Sequence, residues 1–201
     1  MSRREAEAVE TIEREGFVGK LYQDEDPSSP KDWDQLGTLV TWHREYCFDE
    51  DGKKVFGSPQ DFLERAGAEG WIYLPVGMID HSGISLYVGS GAHVMDYGGW
   101  DSGQIGFIYT TPKRIEEMGT PRDGVEACLA GEVETWDQFV TGDIYGYVIE
   151  GPSDGDSDSH RDSCWGFYGF EEAKREMVEM LDAAIRFEKK EEAKIERIMR
   201  I

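Results

Sequence analysis

Positive charge is in short supply: 21 Lys and Arg stand against 42 Asp and Glu, which leaves a formal charge of -21. A field of that sign repels phosphate backbones and anionic headgroups, so direct binding of nucleic acid or of a membrane surface through a broad basic face is not expected. Long apolar runs are missing too, and no stretch approaches the ~18 residues that a bilayer span requires. Cysteine is scarce and odd in number, with Cys47, Cys128 and Cys164 only, and no basic n-region followed by an apolar h-region opens the chain. A secreted disulfide scaffold is therefore not expected, and a reducing, cytoplasmic setting is. The P-loop, the nucleophile elbow, the His-Glu-x-x-His pair and the dinucleotide fingerprint are all absent, which removes the usual support for nucleotide-dependent and zincin chemistry. No cofactor is expected.

What the chain does have is aromatic mass. Six Trp, nine Tyr and nine Phe in 201 residues supply one good core, enough for about one domain. The acid is unevenly placed: residues 1–169 carry 33 acidic and 13 basic side chains, residues 170–201 nine and eight. We read residues 1–169 as an acidic α+β core and residues 170–201 as a helix packed on it or projecting from it. Lys, at nine, is outnumbered by Arg, at twelve, which suits a surface adapted to concentrated salt as well as one kept dispersed by carboxylates.

Local signals give the elements. Ser2-Arg3-Arg4-Glu5 has capping-box spacing, with Ala6, Val9 and Ile12 behind it, and predicts a short N-terminal helix. Strands are predicted at Phe17 to Tyr22, Leu36 to Trp42, Trp71 to Ile79, Ile84 to Val88, Gln104 to Tyr109, Ile144 to Ile149 and Cys164 to Tyr168. Ser58-Pro59, Thr111-Pro112 and Thr120-Pro121 each open a helix, because Pro fits the first helical position. The strands are joined near the middle by hairpin-length loops, which predicts a mainly antiparallel sheet of about six strands with helices between and at both ends. Gly106, Gly146 and Gly166 interrupt strands between aromatic or apolar neighbours, leaving room for rings on an adjacent strand or marking bulges. On the terminal helix, Phe170, Ala173, Met177, Met180, Ala184 and Phe187 form a seam, and Leu181, Ile185, Ile195 and Met199 a second partial stripe.

Three polar segments carry the candidate chemistry. Asp80-His81 and Trp100-Asp101-Ser102 would offer an acid, a base and a hydroxyl to one pocket, since a carboxylate orienting an imidazole is the usual activation of a nucleophile or water. Turn formation explains Asp and Ser-Gly there equally well. His81 to Gly83, Asp101 to Gln104 and Thr141 to Asp143 each lie beside a predicted strand end, where an antiparallel sheet would gather them on one rim. His81, Asp80, Asp101, Ser102 and Asp143 are the catalytic candidates, and Trp42, His43, Trp100, Gln104 and Trp165 the binding candidates. His43/Cys47 and His160/Cys164 share a His-x-x-x-Cys spacing, but without paired Cys-x-x-Cys knuckles no metal site is assigned.

Several blocks resemble a family of uncharacterised proteins encoded by tailed viruses, prophages and other mobile elements. They include Tyr22-Gln23-Asp24-Glu25-Asp26-Pro27, Trp42-His43-Arg44, Asp80-His81-Ser82-Gly83, Trp100-Asp101-Ser102-Gly103-Gln104-Ile105-Gly106, Thr141-Gly142-Asp143-Ile144-Tyr145-Gly146-Tyr147 and Asp162-Ser163-Cys164-Trp165-Gly166-Phe167-Tyr168-Gly169. The likeness spans roughly residues 22–170. The family usually carries a Cys where this chain has Thr41. The resemblance implies a viral or mobile-element accessory protein acting in the cytoplasm of a prokaryotic host cell.

The sequence is compatible with three functions. The first is an acidic accessory factor that binds a host or viral protein, with carboxylates standing where that protein expects DNA phosphates, as a DNA mimic or anti-defence factor. The second is an enzyme, metal-dependent or acid/base, built on loop His and Asp residues. The third is a salt-adapted structural or assembly protein. The oligomeric state is left open.

Overall fold

The computed structural model describes residues 7–91, 93, 101–152 and 159–200. Along the chain run β1 (Glu10–Arg14), β2 (Phe17–Gln23), β3 (Thr38–Thr41), β4 (Glu50–Asp51), α1 (Gly52–Val55), α2 (Pro59–Glu69), β5 (Ile72–Asp80) and β6 (Ile84–Val88). There follow β7 (Ser102–Thr110), α3 (Pro112–Met118), α4 (Val125–Thr141), β8 (Ile144–Glu150), β9 (His160–Tyr168) and α5 (Phe170–Met199). The class is α+β and mainly antiparallel, with a long C-terminal helix. Among the described residues the strands number nine rather than about six and fall in two sheets, ordered β1-β2-β8-β9 and β4-β3-β7-β5-β6. The chain divides accordingly into two compact units, Met1–Pro27 with Gly142–Ile201, and Ser28–Thr141. No helix among the described residues is long and apolar enough to cross a membrane.

In the unit made of the two chain ends, α5 covers one sheet face. Ala173, Met177, Leu181 and Ile185 bury against Phe17, Leu21, Tyr147 and Ile149. These four helix residues are spaced by four, so the docking stripe takes Leu181 and Ile185 from the second predicted stripe and leaves Phe187 66% exposed. Every residue from Glu192 to Arg200 is exposed. The expected N-terminal helix is corrected over Glu10–Arg14, which is a strand, while Ser2 to Glu5 lie outside the described residues. Glu15 and Gly16 both adopt positive φ (51° and 83°), the two-residue turn that matches strand twist, and the hairpin puts Ile12 opposite Gly19 beneath α5. That tertiary pairing outweighs a thin helical stripe.

The Ser28–Thr141 unit sandwiches its five-stranded sheet between helices. Alternation along the strands sends Leu39, Val76, Met78, Leu86 and Ile108 to the face packed by Val125, Leu129, Val133 and Trp136 of α4. The opposite face presents Val40 and Phe107 to Phe62 and Ala66 of α2. Phe62 stacks on Phe107 at 4.7 Å and meets Tyr73 and Tyr109 edge-on. Two carboxylates of α4 fasten strands. Glu132 accepts from Leu36 and Gly37 N–H at 2.6 and 2.8 Å, and Asp137 accepts from Leu86 N–H at 2.7 Å. Burial pushes the Glu132 carboxyl above its ordinary range, against the two backbone bonds and Arg114, which pull it down.

Candidate functional site

β7 lies between β3 and β5 and runs antiparallel to both, so their C-terminal ends meet where β7 begins. The pairing slips there. Val76 pairs with Gly106 and Gly77 with Gln104, leaving Ile105 as an extra residue on β7. Such a bulge bends a strand and re-aims its side chains. The Ile105 carbonyl is taken by Trp42 N–H at 2.9 Å, and at Gly106 the chains run so close that a Cβ would collide with the Val40 carbonyl. Only Gly fits.

A cleft of about 580 Å³ opens at this point, lined by Trp42, His43, Arg44, Pro59, Leu63, Gln104, Ile105, Gly106 and Phe107. Trp42 is held from three sides. Its ring covers Gly52, where a Cβ would enter the indole, meets Phe62 and Phe107 edge-on at 5.9 and 6.1 Å, and donates Nε1–H to the Gly57 carbonyl at 3.2 Å. Pro59 and Leu63 are set by the start of α2, where Ser58 and Asp61 complete a capping box. Helix initiation therefore builds one wall.

The second lobe, about 370 Å³, is lined by His43, Met78, Asp80, Asp101, Ser102, Gly103, Gln104 and Ile105. His43, Gln104 and Ile105 belong to both lobes, so the two adjoin. His43 Nδ1 accepts from the N–H groups of Glu45 and Tyr46, each at 3.3 Å, and its ring stacks on Tyr46 at 5.1 Å. The Tyr46 hydroxyl reaches Asp80 Oδ2 at 3.5 Å, and the negative charge of Asp80 raises the phenol above its ordinary value, with burial and Glu45 adding to it. Asp80 N–H donates to the Asp101 carbonyl at 2.8 Å, and Asp101 Oδ2 lies 2.9 Å from His81 Nδ1. The Gln104 amide donates to the Gly106 carbonyl at 3.2 Å, and Ser102 Oγ accepts from His93 N–H at 2.8 Å.

The structure thus gathers Asp80, His81, Asp101, Ser102, Trp42, His43 and Gln104 at one end of one sheet. Asp143 and Trp165 belong to the other unit. The Asp143 carbonyl accepts from Gly169 N–H, burial and then the Asp143 carboxylate raise the Tyr145 phenol above its ordinary value, and Trp165 stacks on Tyr22 at 6.2 Å. Trp100 lies outside the described residues. His81 and Asp101 have the orientation that activates an imidazole, but their side chains are 72% and 46% exposed, so water reaches the pair. Among the described residues no three His, Cys, Asp or Glu side chains gather as a metal ion requires.

Sequence reasoning missed the wall formed by Pro59, Leu63 and Phe107. The signal was present in Ser58-Pro59, which fixes where α2 begins, but strand order was needed to set that helix over Trp42. It also missed Glu132 and Asp137, carboxylates within or beside the apolar stripe of α4, where a buried acid implies a backbone partner.

Comparison with protein-family models, with curated proteins and with solved structures finds no match to this chain.

Proposed function

We propose that this chain is an accessory protein of a virus or mobile element that acts by binding a host or viral protein through the cleft of its Ser28–Thr141 unit. The observation that carries this is the pairing of the two lobes. One offers aromatic and aliphatic wall (Trp42, Leu63, Phe107) and the other two carboxylates (Asp80, Asp101). Their combined volume is in the range of recognition pockets, ~300–1,000 Å³. An extended or helical segment with a Lys or Arg beside an apolar residue satisfies both: the cation meets the carboxylates and the apolar group meets Trp42 and Leu63. The formal charge of -21 favours basic partners at long range. A partner that normally grips DNA would present such segments, which is the DNA-mimic form of the reading.

The test is retention of proteins from a prokaryotic host lysate on the immobilised chain. A partner held by the native protein, lost on Asp80→Asn/Asp101→Asn and on Leu63→Glu, and displaced by duplex DNA supports the proposal. Equal retention by the variants contradicts it. A second reading, an acid/base enzyme, draws on the 2.9 Å approach of His81 to Asp101. It requires His81→Ala to abolish a cellular effect that Leu63→Glu leaves intact.

A further inference from the structure

Two surfaces of this chain have complementary chemistry. One is the cleft just described, aromatic at one lobe and acidic at the other. The other is the end of α5. Ile185 is the last buried residue of the helix, and beyond it Phe187, Ile195, Ile198 and Met199 stand 66%, 55%, 65% and 82% exposed.

Charge inverts over the same stretch. Residues 186–201 hold six Lys and Arg against four Glu, so this segment is positive on a strongly negative chain. At 3.6 residues per turn, Arg186, Lys190, Lys194 and Arg197 share one side of the helix, with Ile198 next to Lys194. Ion pairs of this segment go to Lys189, Lys194 and Arg200. Arg186, Lys190 and Arg197 have none among the described residues. A helix end carrying cations beside exposed aliphatic groups is the chemistry that an acidic, aromatic-walled groove accepts.

We propose that the end of α5 of one copy seats in the cleft of a second copy, with Lys194 and Arg197 toward Asp80 and Asp101 and with Ile198 against Trp42 and Leu63. The inference rests on the cleft being a protein-binding groove and names one occupant. Charge complementarity selects that occupant, since the helix end joins a net positive charge to exposed aliphatic side chains, the two features that the carboxylate lobe and the Trp42–Leu63 wall receive. The contact is heterologous, a tail on a groove, so it leaves one tail and one groove unsatisfied in a dimer and propagates head to tail unless the rotation closes a ring.

Sedimentation of the 201-residue chain tests this with two variants. Lys194→Glu/Arg197→Glu changes only exposed side chains, and Asp80→Asn/Asp101→Asn keeps side-chain shape. The native chain self-associates at low salt and dissociates as salt rises, because the pairing is electrostatic. Each variant alone self-associates at least about tenfold more weakly. An equal mixture of the two restores one intact contact, from the native tail of the cleft variant to the native cleft of the tail variant, and sediments as a heterodimer with no larger species. A native chain that stays monomeric at low salt, self-association that neither variant weakens, or a mixture that does not pair overturns the inference. Lysate partners retained through the cleft by a monomeric native chain would leave the proposed function standing while this occupant fails.

Discussion

Gly146 and Trp165 show how a single missing side chain organises a sheet. Tyr145 pairs with Phe167 and Tyr147 with Cys164, so Gly146 faces an expanded stretch of β9, and a Cβ there would enter the Trp165 indole. Gly166, at φ 84°, supplies the left-handed residue of that bulge. Gly146→Ala forces the indole off the strand and is expected to cost ~1–3 kcal/mol, as overpacking does. Denaturant melts followed by Trp fluorescence check this, and an unchanged midpoint would contradict the packing account. The spacing of aromatic-Gly-aromatic triplets made these positions legible in the sequence. Which ring filled which gap was not, because that depends on register between strands distant in the chain.

Elements were legible where the chain punctuates itself. Ser58-Pro59 and Thr111-Pro112 open helices at the expected places, Gly70 and Gly119 close them in the left-handed conformation, and Asp80 to Ile84 forms the expected hairpin. The docking face of α5 was less legible, because its apolar residues fit either a seam of alternating three and four or a stripe spaced by four. The stripe wins through the gap at Gly19, into which the Met177 side chain fits. Met177→Ala is therefore expected to cost ~2–5 kcal/mol. Phe187→Ala, although part of the predicted seam, should change stability by no more than ~0.5 kcal/mol. Parallel thermal melts separate the two spacings, and equal losses would favour the seam. The cleft itself was legible only as its parts: Trp42-His43, Asp80-His81 and Asp101 to Gln104 sit 20 or more residues apart, and the order β3-β7-β5 is what joins them.

For the whole molecule, the charge sets the response to pH and salt. Burial raises the carboxyls of Asp49, Glu50 and Glu132 above their ordinary values, Glu50 further through Asp49. A carboxyl raised on folding binds its proton more readily in the native state. Its contribution is therefore favourable at low pH and is lost as pH rises through the folded value. Acidification from neutral pH down to the ordinary carboxyl range is expected to raise the melting temperature, and relief of repulsion among the acidic groups acts in the same direction. Glu50→Gln should raise the melting temperature at neutral pH and flatten this dependence. A melting temperature that falls over that range would contradict it. Salt separates two origins of the acidity. A cleft-binding accessory protein of an ordinary host stays folded at ~0.1 M salt, where screening reaches ~10 Å, whereas a salt-adapted chain loses its circular dichroism there.

The most direct test places a photo-reactive benzoylphenylalanine in the cleft wall at Leu63 and, as a control on the same helix, at the exposed Ala68, with irradiation in prokaryotic cells that produce the chain. Recognition through the cleft gives a covalent adduct to a protein from position 63, suppressed by Asp80→Asn/Asp101→Asn, and no such adduct from position 68. Adducts of equal yield from both positions, or an adduct from 63 that the carboxylate substitutions leave unchanged, would contradict recognition through this cleft.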